Sequence, residues 1–328
     1  MRERKRAPRR RRRPNSQLFL SMIISASRRT DIPALYPRWF MERVRAGFCR
    51  VPNPFNPKQI SDVSLKPDDV DAIVFWTRHA RPLFRWLPLL DELGYRYYFQ
   101  YTITGYGRPV EERSPPLRAA IDTFRALAER LPPGAVVWRY DPILLGEAFP
   151  VRMHLERFSF VARQLEQRTT RVVISLVHMY RKTERRLRAL FPREDELLRN
   201  PAADPRAPEL LAGLVRVAER HGMKVEACSQ EQDWSALGIA PTRCVDGRLL
   251  RELFGGEWPR SKDRGQRPQC RCIPSRDIGM VNTCTFGCAY CYATSSQRLA
   301  IQNRRAHDER SPSPGVIPIT SRKNKFGS

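Results

Sequence analysis

The sequence predicts an α/β fold, a partial or closed (β/α) TIM-like barrel of six to seven parallel strands with a cysteine-rich C-terminal segment. Two observations lead to this fold class. Short apolar runs alternate with amphipathic stretches of helical length, which is the pattern of repeated βαβ units and a parallel sheet. No glycine-rich dinucleotide loop is present to support an open doubly wound sheet, so that architecture is the second choice.

Seven apolar runs predict the strands, at residues 22–26, 71–77, 95–102, 135–141, 171–177, 223–228 and 277–282. Six amphipathic stretches predict helices, at residues 34–46, 81–93, 116–131, 151–167, 207–221 and 246–254. In the stretch 116–131 the apolar residues recur at spacings of three and four and therefore share one helical face. Pro116 suits the first helical turn, and the Pro-Pro-Gly sequence at 132–134 ends the helix.

The two ends of the chain differ in composition from its middle. Residues 1–21 are rich in arginine, and we expect a disordered basic arm because like charges repel and little there is apolar. Residues 22–296 form the predicted barrel, and residues 297–328, rich in Arg, Ser and Pro, are expected to be a disordered tail. The net charge of +25 permits phosphate contacts by the arm. A translation start at Met22 explains the arm equally well, and we favour that explanation.

Cysteine usage and hydropathy indicate the compartment. No apolar run approaches the length of a membrane span. No signal peptide is recognisable, because the short apolar piece at 18–24 is interrupted by Ser21. We therefore expect a cytoplasmic protein without a membrane partner. Eight cysteines in a cytosolic chain indicate metal or redox chemistry rather than disulfides.

Three cysteines near the C-terminus, Cys284, Cys288 and Cys291, have the spacing C-x3-C-x2-C. Three thiolates can hold three irons of a [4Fe–4S] cubane and leave the fourth iron without a protein ligand. S-adenosylmethionine (SAM) can chelate that iron, and a reduced cluster can cleave its carbon–sulfur bond to give a 5′-deoxyadenosyl radical. Zinc is an alternative occupant, although it requires four ligands and no histidine stands at a suitable spacing. Unligated thiols are the remaining possibility.

The motif resembles the signature of the radical SAM superfamily, which implies that the aromatic residue before the last cysteine, Tyr290, lies near the adenine. Five further segments are similar to an uncharacterised bacterial family, DUF1848, at residues 25–33, 53–57, 75–77, 100–107 and 138–142. The resemblance spans about residues 22–296 and implies a barrel with a C-terminal cluster, but it names no substrate. The strand before the motif comes last in the chain, so the motif reaches the barrel mouth if this strand pairs with the first one.

A second group of cysteines consists of Cys228, Cys244, Cys270 and Cys272. Four thiolates can complete a fully ligated second [4Fe–4S] cluster that serves as an electron relay or substrate anchor. They can equally form a structural zinc site, or they can be separate buried thiols. The remaining cysteine, Cys49, is expected to be a small buried hydrophobe.

Polar residues at the carboxyl ends of the predicted strands are the candidate catalytic residues: Arg28, Asp31, Gln100, Arg139 and Asp141. In a barrel the reactive face lies at these strand ends. Arg139 and Asp141 are two apart and point the same way, as a clamp for the SAM carboxylate or a polar substrate group, or as an internal ion pair. Arg28 and Asp31 belong either to an anion site or to a solvated turn.

The function that these features predict is a radical-SAM-like [4Fe–4S] enzyme acting on an unknown small-molecule or macromolecular substrate. It requires an electron donor such as flavodoxin or ferredoxin. The alternative is a non-catalytic protein, stabilised by zinc or a cluster, that binds nucleic acid.

Overall fold

The computed structural model describes residues 22–315 of the chain, so the predicted basic arm and residues 316–328 lie outside the described residues. Within that range, eight strands form one parallel sheet: β1 (Ile23–Ala26), β4 (Ala72–Thr77), β5 (Tyr97–Thr102), β6 (Val136–Ile143), β7 (Arg171–Leu176), β8 (Lys224–Ala227), β9 (Ala240–Pro241) and β10 (Arg276–Asp277). The strands β2 (Phe48–Pro52) and β3 (Ile60–Ser64) form a separate antiparallel hairpin.

The helices are α1 (Ile32–Leu35), α2 (Pro37–Ala46), α3 (Leu87–Glu92), α4 (Leu117–Ala128), α5 (Val151–Leu165), α6 (Arg181–Leu190), α7 (Arg206–Arg220), α8 (Gly247–Phe254) and α9 (Gln297–Arg305). Short 3₁₀-helices lie at Arg81–Trp86, Pro201–Ala203 and Ser235–Leu237. The first six predicted strands are confirmed. The six predicted helices are also confirmed, two of them with an interrupted course. The hairpin, α6 and α9 were not predicted.

The strand order is β10-β1-β4-β5-β6-β7-β8-β9, and every neighbouring pair is parallel. Strands that follow one another in the chain are thus neighbours in the sheet, which is the connectivity of a barrel rather than of a doubly wound sheet. Among the described residues the end strands β9 and β10 do not pair with each other, so the sheet is not closed. The predicted α/β class is confirmed, and the sheet is compatible with a partial barrel.

One face of the sheet packs against the helices. Strand residues two apart share a face, so alternate apolar residues of each strand form this packing surface. Phe75 of β4 stacks on Phe99 of β5 with ring centroids 4.9 Å apart. Trp138 of β6 stacks on Phe158 of α5 at 4.6 Å. All four rings are fully buried, and burial of each aromatic side chain contributes roughly 2–3 kcal/mol.

The opposite face of the sheet, here called the inner face, is covered by the chain that follows β9. Its apolar positions include Val74, Tyr98 and Val137, which pack in one cluster with α8 and with residues 258–273. This segment fills the inner face near the amino ends of the strands. The polar strand residues further along the same face are therefore enclosed within the protein.

The last strand pairs with the first, with Ile24 opposite Arg276 and Ser25 opposite Asp277. This confirms the predicted pairing, but the strand has two residues instead of the six predicted for 277–282. After Asp277 the backbone leaves the ladder, since the Met280 carbonyl accepts a hydrogen bond from the Thr30 hydroxyl (2.9 Å) rather than from a neighbouring strand.

The predicted tail contains ordered structure up to residue 315. Ser296 caps α9 by accepting a hydrogen bond from the Leu299 N–H (3.2 Å). The following chain binds the body of the protein, because the Trp39 indole N–H donates to the Ser311 carbonyl (2.9 Å) and the Arg50 N–H donates to the Pro312 carbonyl (2.8 Å). The Arg/Ser/Pro composition does not reveal these partners, which lie far away in sequence. Among residues 22–315, no helix combines the length and apolar character needed to cross a membrane.

The buried His154 of α5 generates a testable pH dependence. Its Nε2 lies 2.6 Å from the Leu144 carbonyl oxygen, and its Nδ1 lies 2.8 Å from the Tyr140 hydroxyl, so both nitrogens are bonded in the neutral ring. Burial lowers the pKa of His154 from 6.5 to about 4. The unfolded chain binds the proton below pH 6.5 and the folded protein does not. The free energy of unfolding therefore decreases as the pH falls from 6.5 to 4, by up to about 3 kcal/mol from this group.

The variant His154→Gln should show a shallower decrease over this pH range in urea unfolding. The matched control is His178→Gln, because His178 is exposed and its replacement should leave the pH dependence unchanged. A wild-type pH dependence in His154→Gln would contradict the assignment.

Candidate functional site

The loop that carries Cys284, Cys288 and Cys291, here called the mouth loop (residues 278–294), lies at the carboxyl edge of the sheet. The segment after β1 holds its first part. The Thr30 Oγ1 lies 2.6 Å from the Thr283 Oγ1, and the Tyr36 hydroxyl donates to the Thr283 carbonyl (2.8 Å). The sequence places these partners about 250 residues apart, and the pairing of β10 with β1 brings them together.

The chain after β5 holds the second part of the mouth loop by backbone hydrogen bonds. Glu111 and Cys288 form an isolated antiparallel bridge. The Ala289 N–H donates to the Val110 carbonyl (2.8 Å), and the Arg113 N–H donates to the Phe286 carbonyl (2.9 Å).

Helix α6 contributes a third support through Arg186, whose guanidinium donates to the carbonyls of Ala289 (3.0 Å), Cys291 and Thr294. One planar cation thus gathers three carbonyl groups across the end of the cysteine motif. The sequence did not predict α6, because its ten residues include five arginines or lysines and bury only Thr183 and Leu187.

The three thiols of the mouth loop share one partly exposed environment. Burial raises the pKa of Cys284, and the nearby Cys291 and Asp31 raise it further. Burial also raises the pKa of Cys288 to about 12, against the opposing effect of Arg78. In the absence of an added cation both thiols are therefore protonated at neutral pH, and binding of a metal centre would supply the charge that stabilises their thiolates.

Across residues 22–315, no three His, Cys, Asp or Glu side chains are grouped as ligands of a single metal ion. Two carboxylates beside the mouth loop are held by hydrogen bonds. Asp31 accepts from Ala34, Thr77 and Arg78 through both of its oxygens, and Glu111 accepts from Arg78, Thr104 and Tyr290 through Oε1. In a cubane each thiolate binds a different iron, so three thiolates need not converge on one point as the ligands of zinc do. A donor set of three thiols fits such a cubane.

Tyr290 belongs to a buried polar group at the inner side of the mouth loop. The Arg78 Nη1 donates to its hydroxyl (2.5 Å), the Arg78 Nη2 donates to Glu111 (2.5 Å) and to the Thr104 hydroxyl (2.8 Å), and the Tyr290 hydroxyl donates to Glu111. Its ring packs edge-on against Tyr106 with centroids 6.2 Å apart. Arg78, Glu111 and Thr104 were missed from the sequence, although the positions of Arg78 and Thr104 just after strands gave a signal.

A cavity of about 500 Å³ opens beside this polar group, and it is called the mouth cavity below. Its wall includes Arg78, Thr104, Glu111 and Ser114, together with the chain between the end of β5 and the start of α4. The Ser114 hydroxyl is buried and has no hydrogen-bond partner among the described residues, so it is free to bind a ligand in this cavity. The volume lies within the range of small-molecule sites, roughly 300–1,000 Å³.

Asp31 was predicted as a catalytic residue, and in the structure its carboxylate accepts three hydrogen bonds from neighbouring residues. It caps α1 by accepting from the Ala34 N–H (3.0 Å), and it accepts from the Thr77 hydroxyl (2.8 Å) and the Arg78 N–H (2.7 Å). Burial raises its pKa to about 7, against the effect of these donors. Asp31 therefore ties the ends of β1 and β4 together beneath the mouth loop.

The second group of cysteines is brought together on the inner face and is called the inner cysteine cluster (Cys228, Cys244, Cys270 and Cys272). The Sγ atoms of Cys228 and Cys244 lie 2.9 Å apart. Hydrogen bonds from Cys244 and Cys270 lower the pKa of Cys272, which also accepts from the Val245 N–H (3.3 Å). By contrast, Cys49 is a single buried thiol in β2, as predicted.

Three of the five predicted catalytic residues, Gln100, Arg139 and Asp141, lie beside the inner cysteine cluster, and Arg28 lies between this cluster and the mouth loop. The Arg139 Nη1 donates to the Cys244 Sγ (2.9 Å), and its Nη2 donates to Asp141 (2.5 Å). The Gln100 amide donates to the Cys244 carbonyl (2.9 Å). The Arg28 guanidinium lies 5.0 Å from the Trp76 ring centroid, with Arg139 at 5.2 Å from the same ring. Arg139 and Asp141 thus form an ion pair with each other, as one of the two interpretations expected, and the role of this pair as a clamp for SAM or a polar substrate group stays a prediction.

Asp277 at the end of β10 is a residue that sequence reasoning missed. Its carboxylate accepts from the Ser25 hydroxyl (3.0 Å), the Ser27 hydroxyl (2.6 Å), the Arg28 N–H (2.8 Å) and the Gly279 N–H (3.0 Å). A Cβ atom on Gly279 would lie only 1.9 Å from the Ser27 Oγ, so this approach requires glycine. The carboxylate therefore fixes the start of the mouth loop against the end of β1.

The variant Asp277→Asn should lower the free energy of unfolding by roughly 2 kcal/mol, because the amide group cannot accept the bonds made by one of the two carboxylate oxygens. Urea unfolding measures this change. The matched control is Asp62→Asn, which removes an exposed ion pair with Arg50 (3.0 Å) and should change stability by less than about 0.5 kcal/mol. Equal stabilities for the two variants would contradict the role of Asp277.

Comparisons with known proteins add a family assignment. No curated protein matches the sequence. A crystal structure from Bacteroides thetaiotaomicron VPI-5482, described as a "putative alpha-L-fucosidase", shares 11% identity over 74% of this chain and 85% of that chain, with a TM-score of 0.26. A similarity at this level supports no conclusion about this chain. The family model with the description Domain of unknown function (DUF1848) matches residues 23–293, which is most of the sequence, so the chain belongs to the DUF1848 family.

Proposed function

We propose that this protein is a radical-SAM-type enzyme in which Cys284, Cys288 and Cys291 hold three irons of a [4Fe–4S] cluster. The observation that carries the proposal is the mouth loop, which presents three thiols at the carboxyl edge of the sheet, close to Asp31, whose two carboxylate oxygens are both bonded within the protein. When bound, such a cluster binds SAM at its fourth iron and supplies the electron that cleaves SAM to a 5′-deoxyadenosyl radical.

The residues around the mouth loop hold the thiols in place. Arg186 donates to carbonyls on both sides of Cys291, and Thr30 and Tyr36 bind the chain just before Cys284. These three supports come from α6 and from the segment after β1. Arg186 belongs to α6, and Thr30 and Tyr36 flank the short helix α1. These contacts restrict the loop before a metal binds, which lowers the entropy lost on binding.

The mouth cavity supplies the space for SAM or the substrate. Glu111 belongs to its wall and forms a backbone bridge with Cys288, and Arg78 and Glu111 place a buried ion pair on the same wall. A paired guanidinium and carboxylate can orient a ligand that carries both an amino and a carboxylate group. In this proposal Tyr290 keeps its predicted place beside the adenine, with its hydroxyl fixed by Arg78 and Glu111.

The proposed chemistry also requires a partner that delivers electrons, and flavodoxin or ferredoxin is the expected class. A cytoplasmic location agrees with this requirement, because thiols stay reduced there. The nucleic-acid-binding alternative depends mainly on the basic arm at residues 1–21, which lies outside the described residues, so no observation favours it over the enzyme.

The proposal is tested by anaerobic reconstitution with iron and sulfide, followed by reduction in the presence of SAM. The wild-type protein should release 5′-deoxyadenosine and methionine, measured by chromatography with mass detection. Cys288→Ala should release less than about one hundredth of that amount, because the cubane loses one of its three protein ligands. The matched control Cys49→Ala changes a buried thiol of β2 and should keep the wild-type yield. A reconstituted, reduced wild-type protein that leaves SAM intact would refute the proposed function.

A further inference from the structure

The inner cysteine cluster draws its members from three separated stretches of chain. Cys228 directly follows β8, Cys244 lies beyond β9, and Cys270 and Cys272 lie on the segment that returns towards β10. Cys244, Cys270 and Cys272 are each less than a tenth exposed. Within the described residues the four sulfurs are neighbours but are not already arranged as the ligands of a single ion, so metal binding must rearrange them. Packing alone does not require cysteine at four neighbouring positions, because any small apolar side chain fills such a space.

We propose that Cys228, Cys244, Cys270 and Cys272 form a four-thiolate metal centre on the inner face, separate from the mouth loop. Its occupant is a thiophilic centre, a zinc ion or a second [4Fe–4S] cluster, both of which four thiolates saturate. Because no coordination position stays open, this centre stabilises the fold or carries electrons and does not bind SAM.

Hydrogen-bond donors around the cluster match the needs of thiolate sulfurs. The Arg139 Nη1 lies 2.9 Å from the Cys244 Sγ, and the Val245 N–H lies 3.3 Å from the Cys272 Sγ. N–H donors to ligating sulfurs are the usual outer contacts of thiolate metal centres and tune their redox potential.

Buried positive charge supports the same conclusion. Arg28 and Arg139 flank Trp76 on the inner face. The Arg28 Nη2 is buried and has no hydrogen-bond partner among the described residues. The two nearby carboxylates are already engaged, Asp141 by Arg139 and Asp277 by four donors. Since buried charge requires a counter-charge, an anionic four-thiolate centre gives the free side of Arg28 its partner.

The distance between the Cys228 and Cys244 sulfurs must change when a metal binds. Two sulfurs of a tetrahedral zinc site with Zn–S bonds of about 2.3 Å lie roughly 3.8 Å apart. Cys228 and Cys244 are closer, at 2.9 Å, so binding requires these two sulfurs to separate. A disulfide is the competing metal-free state, since its sulfurs lie at about 2.05 Å.

The inner centre also has a physical link to the mouth loop. The Tyr292 hydroxyl donates to the Arg28 carbonyl (2.9 Å), and Tyr292 directly follows Cys291. Arg28 thus contacts the mouth loop through its backbone, while its guanidinium lies beside Trp76 on the inner face. If the occupant is a cubane, this contact places an electron carrier behind the mouth loop.

The decisive protein is a variant in which Cys284, Cys288 and Cys291 are all changed to Ala, purified anaerobically at full length. Its zinc, iron and acid-labile sulfide are measured per chain. The proposal predicts either about one zinc without sulfide or about four irons with four sulfides. Adding Cys270→Ser and Cys272→Ser should reduce the content at least tenfold, and adding Cys49→Ala should leave it unchanged. This result does not depend on SAM cleavage.

The proposal is overturned if the folded variant contains less than about a tenth of an equivalent of either metal and alkylation finds free thiols or a Cys228–Cys244 disulfide. If the triple variant does not fold, the wild-type protein is compared with Cys270→Ser/Cys272→Ser. A difference of about one zinc or four irons per chain supports the inner centre, and equal contents refute it.

Discussion

The contact between the last and the first strand of the sheet is the constraint on which the site depends. Asp277 accepts four hydrogen bonds, three of them from Ser25, Ser27 and the Arg28 N–H at the end of β1. Hydrogen bonds to a charged group contribute about 1.5–3 kcal/mol each, so this one carboxylate fixes a junction that the two-residue strand β10 could not hold alone. The mouth loop begins at this junction, which therefore fixes the position of the loop.

The two groups of cysteines lie at different places on the sheet. At its carboxyl edge the mouth loop exposes three thiols beside a cavity, and the neighbouring carboxylates are bonded to Arg78, Thr77 and Tyr290. On its inner face the chain after β9 folds back and encloses the inner cysteine cluster. One group of thiols thus lies at the edge of the sheet, and the other is enclosed on its inner face.

Periodicity predicted the strands and most helices, and the spacing of Cys284, Cys288 and Cys291 marked the mouth loop, because each of these signals is local in sequence. Long-range partners were not predictable: Arg78 meets Tyr290, and Arg186 meets the carbonyls of the mouth loop, only after the chain folds. Arg139 was correctly placed beside Asp141 on one face of a strand, and the two form an ion pair. Its second neighbour, Cys244, was not predictable, because it lies 105 residues away on a segment that covers the inner face.

The central claim, that the three thiolates of the mouth loop leave one iron open for SAM, is tested most directly by electron paramagnetic resonance. The protein to use is Cys270→Ser/Cys272→Ser, reconstituted and reduced, so that only a cluster on Cys284, Cys288 and Cys291 contributes the signal. Binding of SAM to the open iron should shift the g-values of the reduced cluster, and Cys284→Ala in the same background should lack the signal. A reduced cluster in this variant whose spectrum stays the same with saturating SAM would contradict the claim.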